Sequence, residues 1–284
     1  MIYITLSVIQ SVLILITFKL FDRFRIDNLQ AIVVNYIVAG FFGFAISRTK
    51  WEPGTIIHFD WFQTALFLGV LFICTFFLFA LSSQKIGVAV TSVTSKMSLV
   101  IPVVASMFLF GEPLNLLRIA GIIIALAAFY LTFRQKDSVK LHARYAWIPL
   151  LVFAGNGLVD TTMKYADHHF IRNDLILFLA VVFSTSFLIG SAILVIRIIY
   201  KKVYIQWKHI GGGVFLGMIN FGSTYYMLKA ISVFESSVVF PVTNAAIVGF
   251  SGLVGYFGFR EKLNWINWLG IILALLAILI IAKS

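Results

Sequence analysis

The chain has 284 residues, 61% of them hydrophobic and only 12% charged, with a formal net charge of +11. So little charge excludes an ordinary soluble domain, in which about a quarter of the residues are charged. The basic residues are scattered through short connectors and helix ends. That pattern fits anchoring in a bilayer and excludes a nucleic-acid-binding face.

Crossing the hydrocarbon takes about 20 apolar residues. Charge breaks and turn residues cut the chain into ten such segments: 2–20, 28–47, 61–82, 88–110, 115–133, 145–165, 174–199, 208–231, 236–259 and 265–282. The first run, Ile2 to Phe18, lacks a basic leader and a small-residue cleavage site, so it reads as a retained helix and not a signal peptide. Its one strongly polar residue at depth is Gln10; the second segment carries Asn35 and Tyr36. The single cysteine, Cys74, lies inside the third, leaving no intramolecular disulfide. The fourth segment holds Lys96 near its centre, flanked by Thr91, Ser92, Thr94 and Ser95. The longest connector, 134–144, separates the two halves. Asn156 and Asp160 lie in the sixth segment, Asn220 and Tyr225 in the eighth, Thr243 and Asn244 in the ninth. The six tryptophans, Trp51, Trp61, Trp147, Trp207, Trp265 and Trp268, fall at or just outside segment ends, where an indole suits the bilayer interface. The five histidines, including His142 and His209, lie near or between segments, none mid-membrane.

The ending "GEPLNLLRIAGIIIALAAF" returns as "REKLNWINWLGIILALLAI" at an offset of 149, aligning Glu112 with Glu261, Leu114 with Leu263, Asn115 with Asn264 and Gly121 with Gly270. "VAVTSVT" and "SVVFPVT" share residues at the same offset, and "KLFD" after the first segment faces "KYAD" after the sixth. The second half is therefore a copy of the first, with repeats at 1–142 and 143–284. Five crossings return the chain to the opposite side, so the second repeat is inserted upside down. The expected fold is an all-α polytopic membrane protein of ten transmembrane helices in two inverted five-helix repeats.

Two five-segment repeats, with an acidic turn after the fourth and ninth segments and a glycine in the helix that follows, resemble the EamA type of the drug/metabolite transporter superfamily over essentially the whole chain. The "GEPLN" and "REKLN" turns are the most specific part of the likeness. The family's Pro-Val pair appears as Pro102-Val103 and Pro241-Val242, which do not align at the common offset, so one half is irregular. The resemblance implies a secondary transporter in the cell membrane that moves small organic solutes such as amino acids, nucleobases, sugars or drugs. It also implies cytoplasmic termini, whereas the excess of Lys and Arg in the odd-numbered loops places those loops in the cytoplasm and the termini outside.

A charge at the depth of Lys96 costs at least about 2.5–3.5 kcal/mol, so it should face a cavity, water or a partner. There it would attract an anionic or zwitterionic solute. Asp160 is offset from Lys96 in depth by roughly 13 Å at 1.5 Å per residue, and Lys164, four residues on, is its nearer partner. The candidate substrate-binding residues are Lys96, Thr94, Ser95, Asn35, Tyr36, Asn156, Asp160, Asn220, Tyr225 and Asn244. Few polar groups among apolar walls is the composition of a solute cavity. Gly249, Gly252, Gly255 and Gly258 recur every three residues, as a close-packing seam would. Packing within the monomer is the plain reading; a moving seam or a homodimer face are the alternatives. Pro102 and Pro241 should kink their helices and free carbonyls. Glu112 and Glu261 are expected at helix starts, each on the dipole of the helix that follows. No Walker-type loop is present, and no cofactor, metal or catalytic set is expected. Two rival readings are a channel or scaffold without coupled transport and an intramembrane enzyme. The latter rests on Asp167-His168-His169, which lacks a second part.

Overall fold

The structure, a computed structural model, describes residues 1–47, 52, 54–110, 116–133, 145, 147–171, 175–234 and 236–282. The 111–115 turn with Glu112, the 134–144 connector with His142, and Trp51 lie outside the described residues. Among the described residues there is no strand. The helices are α1 (Ile2–Arg23), α2 (Asn28–Ile46), α3 (Phe62–Lys85), α4 (Val88–Met97), α5 (Val100–Phe110), α6 (Leu116–Phe133), α7 (Trp147–His169), α8 (Leu175–Lys201), α9 (Trp207–Ile231), α10 (Ser236–Leu253) and α11 (Trp265–Ala282). A 3₁₀ turn spans Ile56–His58, and α10 runs on into a π-helical turn at Val254–Gly258.

Each of the ten apolar segments contains a helix, the fourth divided into α4 and α5. Seven spans have the length and hydropathy to cross a membrane, and Leu116–Thr132 is a shorter apolar helix. The remaining two, α7 and α9, are long enough at 23 and 25 residues but carry more polar residues. Large apolar side chains stand on the outside of many helices, among them Phe41, Phe108, Leu188, Ile199 and Phe257. That much apolar exposure is a lipid-facing surface, and the protein is a multi-pass membrane protein. Trp147, Trp207 and Trp265 are exposed at the first residues of their helices, as interface anchors should be. Trp61 departs from that pattern: it is 2% exposed, stacked on Phe59 and edge-on to Phe178, and belongs to the core.

The chain forms two compact units, each drawing on both halves of the sequence. The first comprises Met1–Lys19, Leu78–Gly157 and Gly222–Ser284; the second comprises Leu20–Phe77 and Leu158–Phe221. The first unit is built around Val93, Met97, Val100, Ala125, Ala128, Val248, Ile271, Ala274, Ala277 and Ile278. A second cluster in it joins Ile4, Val8 and Val12 of α1 to Ala230 of α9 and Val239 and Ile247 of α10.

The broadest helix contacts pair α6 with α11, α2 with α8, and α4 with α10. These are segments five and ten, two and seven, four and nine. Each pair is antiparallel. A Cβ on Gly121 of α6 would meet Ile281 of α11, and one on Gly270 of α11 would meet Thr132 of α6. At the 149-residue offset, Gly121 corresponds to Gly270 and Thr132 to Ile281, so this contact is reciprocal. In the second unit, Gly43 of α2 meets Ala180 near the start of α8, and Gly190 of α8 meets Val33 near the start of α2. In the first, Gly255 after α10 meets Ala89 at the start of α4.

The glycine seam on the ninth segment is only partly a seam. Steps of three residues drift by about 60° on a helix of 3.6 residues per turn, so four such glycines wind half-way round it. Gly252 faces Ile271 and Gly255 faces Ala89, but Gly249 has nothing within 4 Å. A better-phased pair lies on α9, where Gly213 and Gly217 are four apart. A Cβ at Gly213 would lie 2.6 Å from the Ala31 carbonyl oxygen, and one at Gly217 would lie 2.9 Å from that of Asn35. A rigid backbone cannot yield as a side-chain tip does. Gly213→Ala and Gly217→Ala should each lower stability by about 1–3 kcal/mol. Gly249→Ala should be neutral or slightly stabilising. Melting in detergent, read by size-exclusion survival after heating, separates the three; equal melting of all three would remove the seam from α9.

Candidate functional site

Proline lacks an amide and its ring clashes with the carbonyl four residues back. For Pro102 that residue is Ser98, and the fourth span breaks there: α4 stops at Met97 and α5 restarts at Val100. Within the break the Ser98 amide donates to the Thr94 carbonyl at 3.2 Å, the Leu99 amide to the Lys96 carbonyl at 3.4 Å, and the Ser98 hydroxyl to the Ser95 carbonyl at 2.5 Å. Lys96 therefore stands in the last turn of α4, where the carbonyl end of the helix dipole favours a cation. The break is thus part of what makes a lysine tolerable at this depth. Pro241 acts differently. It lies in the first turns of α10, which runs through it without interruption.

The candidate residues divide between the units. The first unit holds Thr94, Ser95 and Lys96 on α4, Asn156 on α7, Tyr225 on α9 and Asn244 on α10. Thr94 is 1% exposed and its hydroxyl has no hydrogen-bond partner among the described residues. The same holds for buried polar atoms of Gln10, Asn156, Thr243 and Ser251. These residues sit on α1, α4, α7 and α10. The helices pack through Val8, Val12, Val93, Met97, Phe153 and Ala245, members or immediate neighbours of the unit's two apolar clusters. A buried hydroxyl or amide without a partner costs about 1–3 kcal/mol, so native proteins leave few of them. Several lie in one unit, interleaved with apolar side chains. Gly157, beside Asn156, lets α7 press against Ile101 of α5 and so brings Asn156 to the broken span. Tyr225 meets Tyr226 edge-on, and the Lys229 ammonium lies 5.7 Å from the Tyr225 ring centroid.

The second unit holds Asn35, Tyr36, Asp160 and Asn220. Asn220 donates its amide to the Asn35 side-chain oxygen at 3.1 Å, while the Asn35 amide nitrogen is buried without a partner among the described residues. Tyr36 is fully buried, donates its hydroxyl to the Phe72 carbonyl at 2.9 Å, and is flanked by the rings of Phe76 and Phe183. Asp160 and Lys164 are one turn apart on an exposed stretch of α7. Asp167, His168 and His169 are exposed at the end of that helix.

Two polar clusters were not anticipated. In the second unit, Asp27 caps α2 by accepting from the Gln30 amide at 3.0 Å, and Arg197 of α8 binds both its oxygens at 3.2 and 2.9 Å. The Asp27 amide donates to His209 Nδ1 at 3.2 Å, and the Gln30 side chain donates to the Tyr204 carbonyl at 3.1 Å. Burial pushes the Asp27 carboxyl up, but Arg197 and the Gln30 amide outweigh it and hold the group below its ordinary value. The signal was in the sequence: Asp27-x-x-Gln30 before an apolar run is the spacing of a helix start. The distant partner on α8 left no local trace.

In the first unit, Glu261 closes a helix end, but not that of the helix that follows it. Its carboxylate accepts from the Val88 and Ala89 amides at 2.6 and 3.2 Å, the first two residues of α4, with Lys19 Nζ 3.9 Å away. The start of α11 is closed by Asn264 and Asn267, each amide donating to the other's side-chain oxygen at 2.9 Å. The Asn267 side chain also donates to the Leu131 and Thr132 carbonyls at the end of α6, at 3.3 and 2.8 Å.

Residues 147–283 match the EamA-like transporter family. That match spans the second half of the chain and is a likeness to a family of the drug/metabolite transporter superfamily. An uncharacterized protein of Haemophilus influenzae is 23% identical over 271 residues, covering 92% of this chain and 91% of its own.

The depressed Asp27 carboxyl gives a signed expectation. A carboxyl held low in the fold contributes stability above its ordinary value of 3.8 and loses it as pH falls through the folded value. Asp27→Asn keeps an acceptor for Gln30 but releases Arg197. It should cost on the order of 1–2 kcal/mol at neutral pH, discounted because both side chains are partly exposed. The difference from the natural protein should vanish in strong acid. A gap that persists at low pH would mean the loss is one of packing, not of charge.

Proposed function

We propose that this protein is a secondary transporter of small organic solutes bearing an anionic or zwitterionic group, working by alternating access in the cell membrane. Its halves, 1–142 and 143–284, are two inverted repeats. What supports the inversion is the antiparallel pairing of the second, fourth and fifth segments with their counterparts five segments later, with the reciprocal Gly121–Ile281 and Gly270–Thr132 contacts. A two-fold axis makes such contacts come in equivalent pairs. The observation that carries the function is the set of buried polar atoms on α1, α4, α7 and α10 that have no partner among the described residues, together with the broken span that bears Lys96. Discontinuous helices at membrane depth are where transporters place charged groups of their solutes. Lys96 would take the anion, with Thr94 and Asn156 supplying hydrogen bonds.

The test has two stages. A thermal-shift screen of the purified protein against amino acids, nucleobases, sugar phosphates and organic acids should return stabilising compounds that share an anionic group. In liposomes, uptake of that compound should saturate, and unlabelled compound inside should accelerate entry of label. Flux that never saturates and shows no counterflow would make the protein a channel. Lys96→Met keeps the length and removes the charge. It should weaken binding by about 10- to 100-fold, the worth of a charged hydrogen bond. Melting of the free protein should stay level or rise slightly. Lys96→Arg should rescue only in part, since a planar guanidinium does not replace a compact ammonium. Collapse of Lys96→Met with binding intact in the survivors would move the site elsewhere.

A further inference from the structure

Three distant stretches of the first unit converge on one carboxyl group: the end of α1 through Lys19, the α3–α4 turn through Gly87, Val88 and Ala89, and the turn before α11 through Glu261. The socket fits this group closely. Gly87 has φ +129°, and a Cβ there would sit 2.8 Å from the Glu261 carboxyl atoms. A Cβ on Gly255 would sit 2.5 Å from Oε2. Only glycine leaves room on both sides, and Gly87 also needs a backbone conformation that other residues rarely adopt. The Glu261 side chain is 11% exposed, so it is dry but within reach of solvent at the end of the helices.

We propose that Glu261 is a proton-binding site that sets the position of α4, the helix that carries Lys96. The proposal rests on the transporter reading only for that consequence, not for the proton site itself. The two oxygens are unequally held. Oε1 takes the short bond from Val88 and faces Lys19, whereas Oε2 has the 3.2 Å bond from Ala89. A proton arriving from water adds to Oε2, gives up the Ala89 bond, and leaves Oε1 as a carbonyl on Val88. Lys19 keeps its charge and its bond to the Gln84 carbonyl at 3.2 Å.

A carboxylate in this socket has two ways to lose the cost of burial: it takes a proton, or the socket opens and water hydrates it. Burial pushes the group up, more than the Val88 and Ala89 amides and Lys19 pull it down. The closed socket therefore binds a proton better than an open, hydrated one, and by linkage a rise in pH favours opening. Lys19 is the charged group in contact. The same elements also carry Asp22 and Arg23 at the end of α1, Lys85 at the end of α3, and Arg260 and Lys262 beside Glu261.

The experiment needs no solute. Hydrogen–deuterium exchange of the segment 86–92 is followed in the full-length protein in liposomes between about pH 5 and 8, corrected for intrinsic exchange. The natural protein should show exchange rising roughly three- to tenfold with pH, in one step. Glu261→Gln should remove the step. Lys19→Met should keep it and move it to higher pH, because the ammonium that favours ionisation is gone. A flat profile in the natural protein, a step that survives in Glu261→Gln, or a fall with pH overturns the proposal. If Glu261→Gln does not fold, Lys19→Met decides, and an unmoved step counts against it. None of these outcomes depends on whether a solute is transported, so this proposal and the transporter reading fail separately.

Discussion

The fold depends on close antiparallel contacts that join the second, fourth and fifth segments to the segments five later. In a bilayer the hydrophobic effect does not drive helix against helix, because lipid is as apolar as leucine. What remains is shape. Gly121 against Ile281, Gly270 against Thr132 and Gly43 against Ala180 let paired backbones come close enough for dispersion to hold them. Hydroxyls in these helices do not weaken the packing, because Thr17, Thr132, Ser184 and Thr185 fold back onto the carbonyl four residues before. Asn267 extends the same pairing by donating to the end of α6 from the start of α11.

Helix ends are the second constraint. Where water is scarce, the last carbonyls and first amides need side-chain partners. Here the partners come from far along the chain: Glu261 for α4, Asn267 for α6, and Asp27 with Arg197 behind it for α2. A cap supplied by its own helix closes one end. A cap supplied from 173 residues away also fixes where two turns lie relative to each other. Polar contacts that are modest in energy thereby set the geometry in which Thr94, Asn156 and Lys96 are held.

Much of this was legible in the sequence, and the failures have physical causes. Segment existence followed from hydropathy, and the two matching endings fall on α6 and α11, which pack against each other. The break in the fourth span followed from Pro102, since one missing amide and one clash have the same effect everywhere. The glycine seam misled because spacing was read without phase: three-residue steps rotate off one face, whereas Gly213 and Gly217 stay on it. Trp61 looked like an interface anchor by position but is closed in by Phe59 and Phe178, which only the tertiary structure brings to it. Glu261 was read as a cap, correctly in kind. Its target was missed because local sequence favours the nearest helix and cannot see that Asn264 already closes it. Tyr36, proposed for solute, spends its hydroxyl on the Phe72 carbonyl.

The two halves are not perfect copies where they matter most. The fourth span is severed at Ser98–Leu99, while the ninth passes unbroken through Pro241 and loosens only at its far end, into a π turn. If the halves trade roles as the proposed mechanism requires, identical halves would make the inward- and outward-open forms equal in energy. The protein would then rest half in each. Every departure from identity tilts that balance, and a tilt of about 1.4 kcal/mol already holds ten molecules facing one way for each facing the other. On the proposed mechanism, the severed span and the π turn would give the resting protein a preferred side before any solute or gradient acts on it.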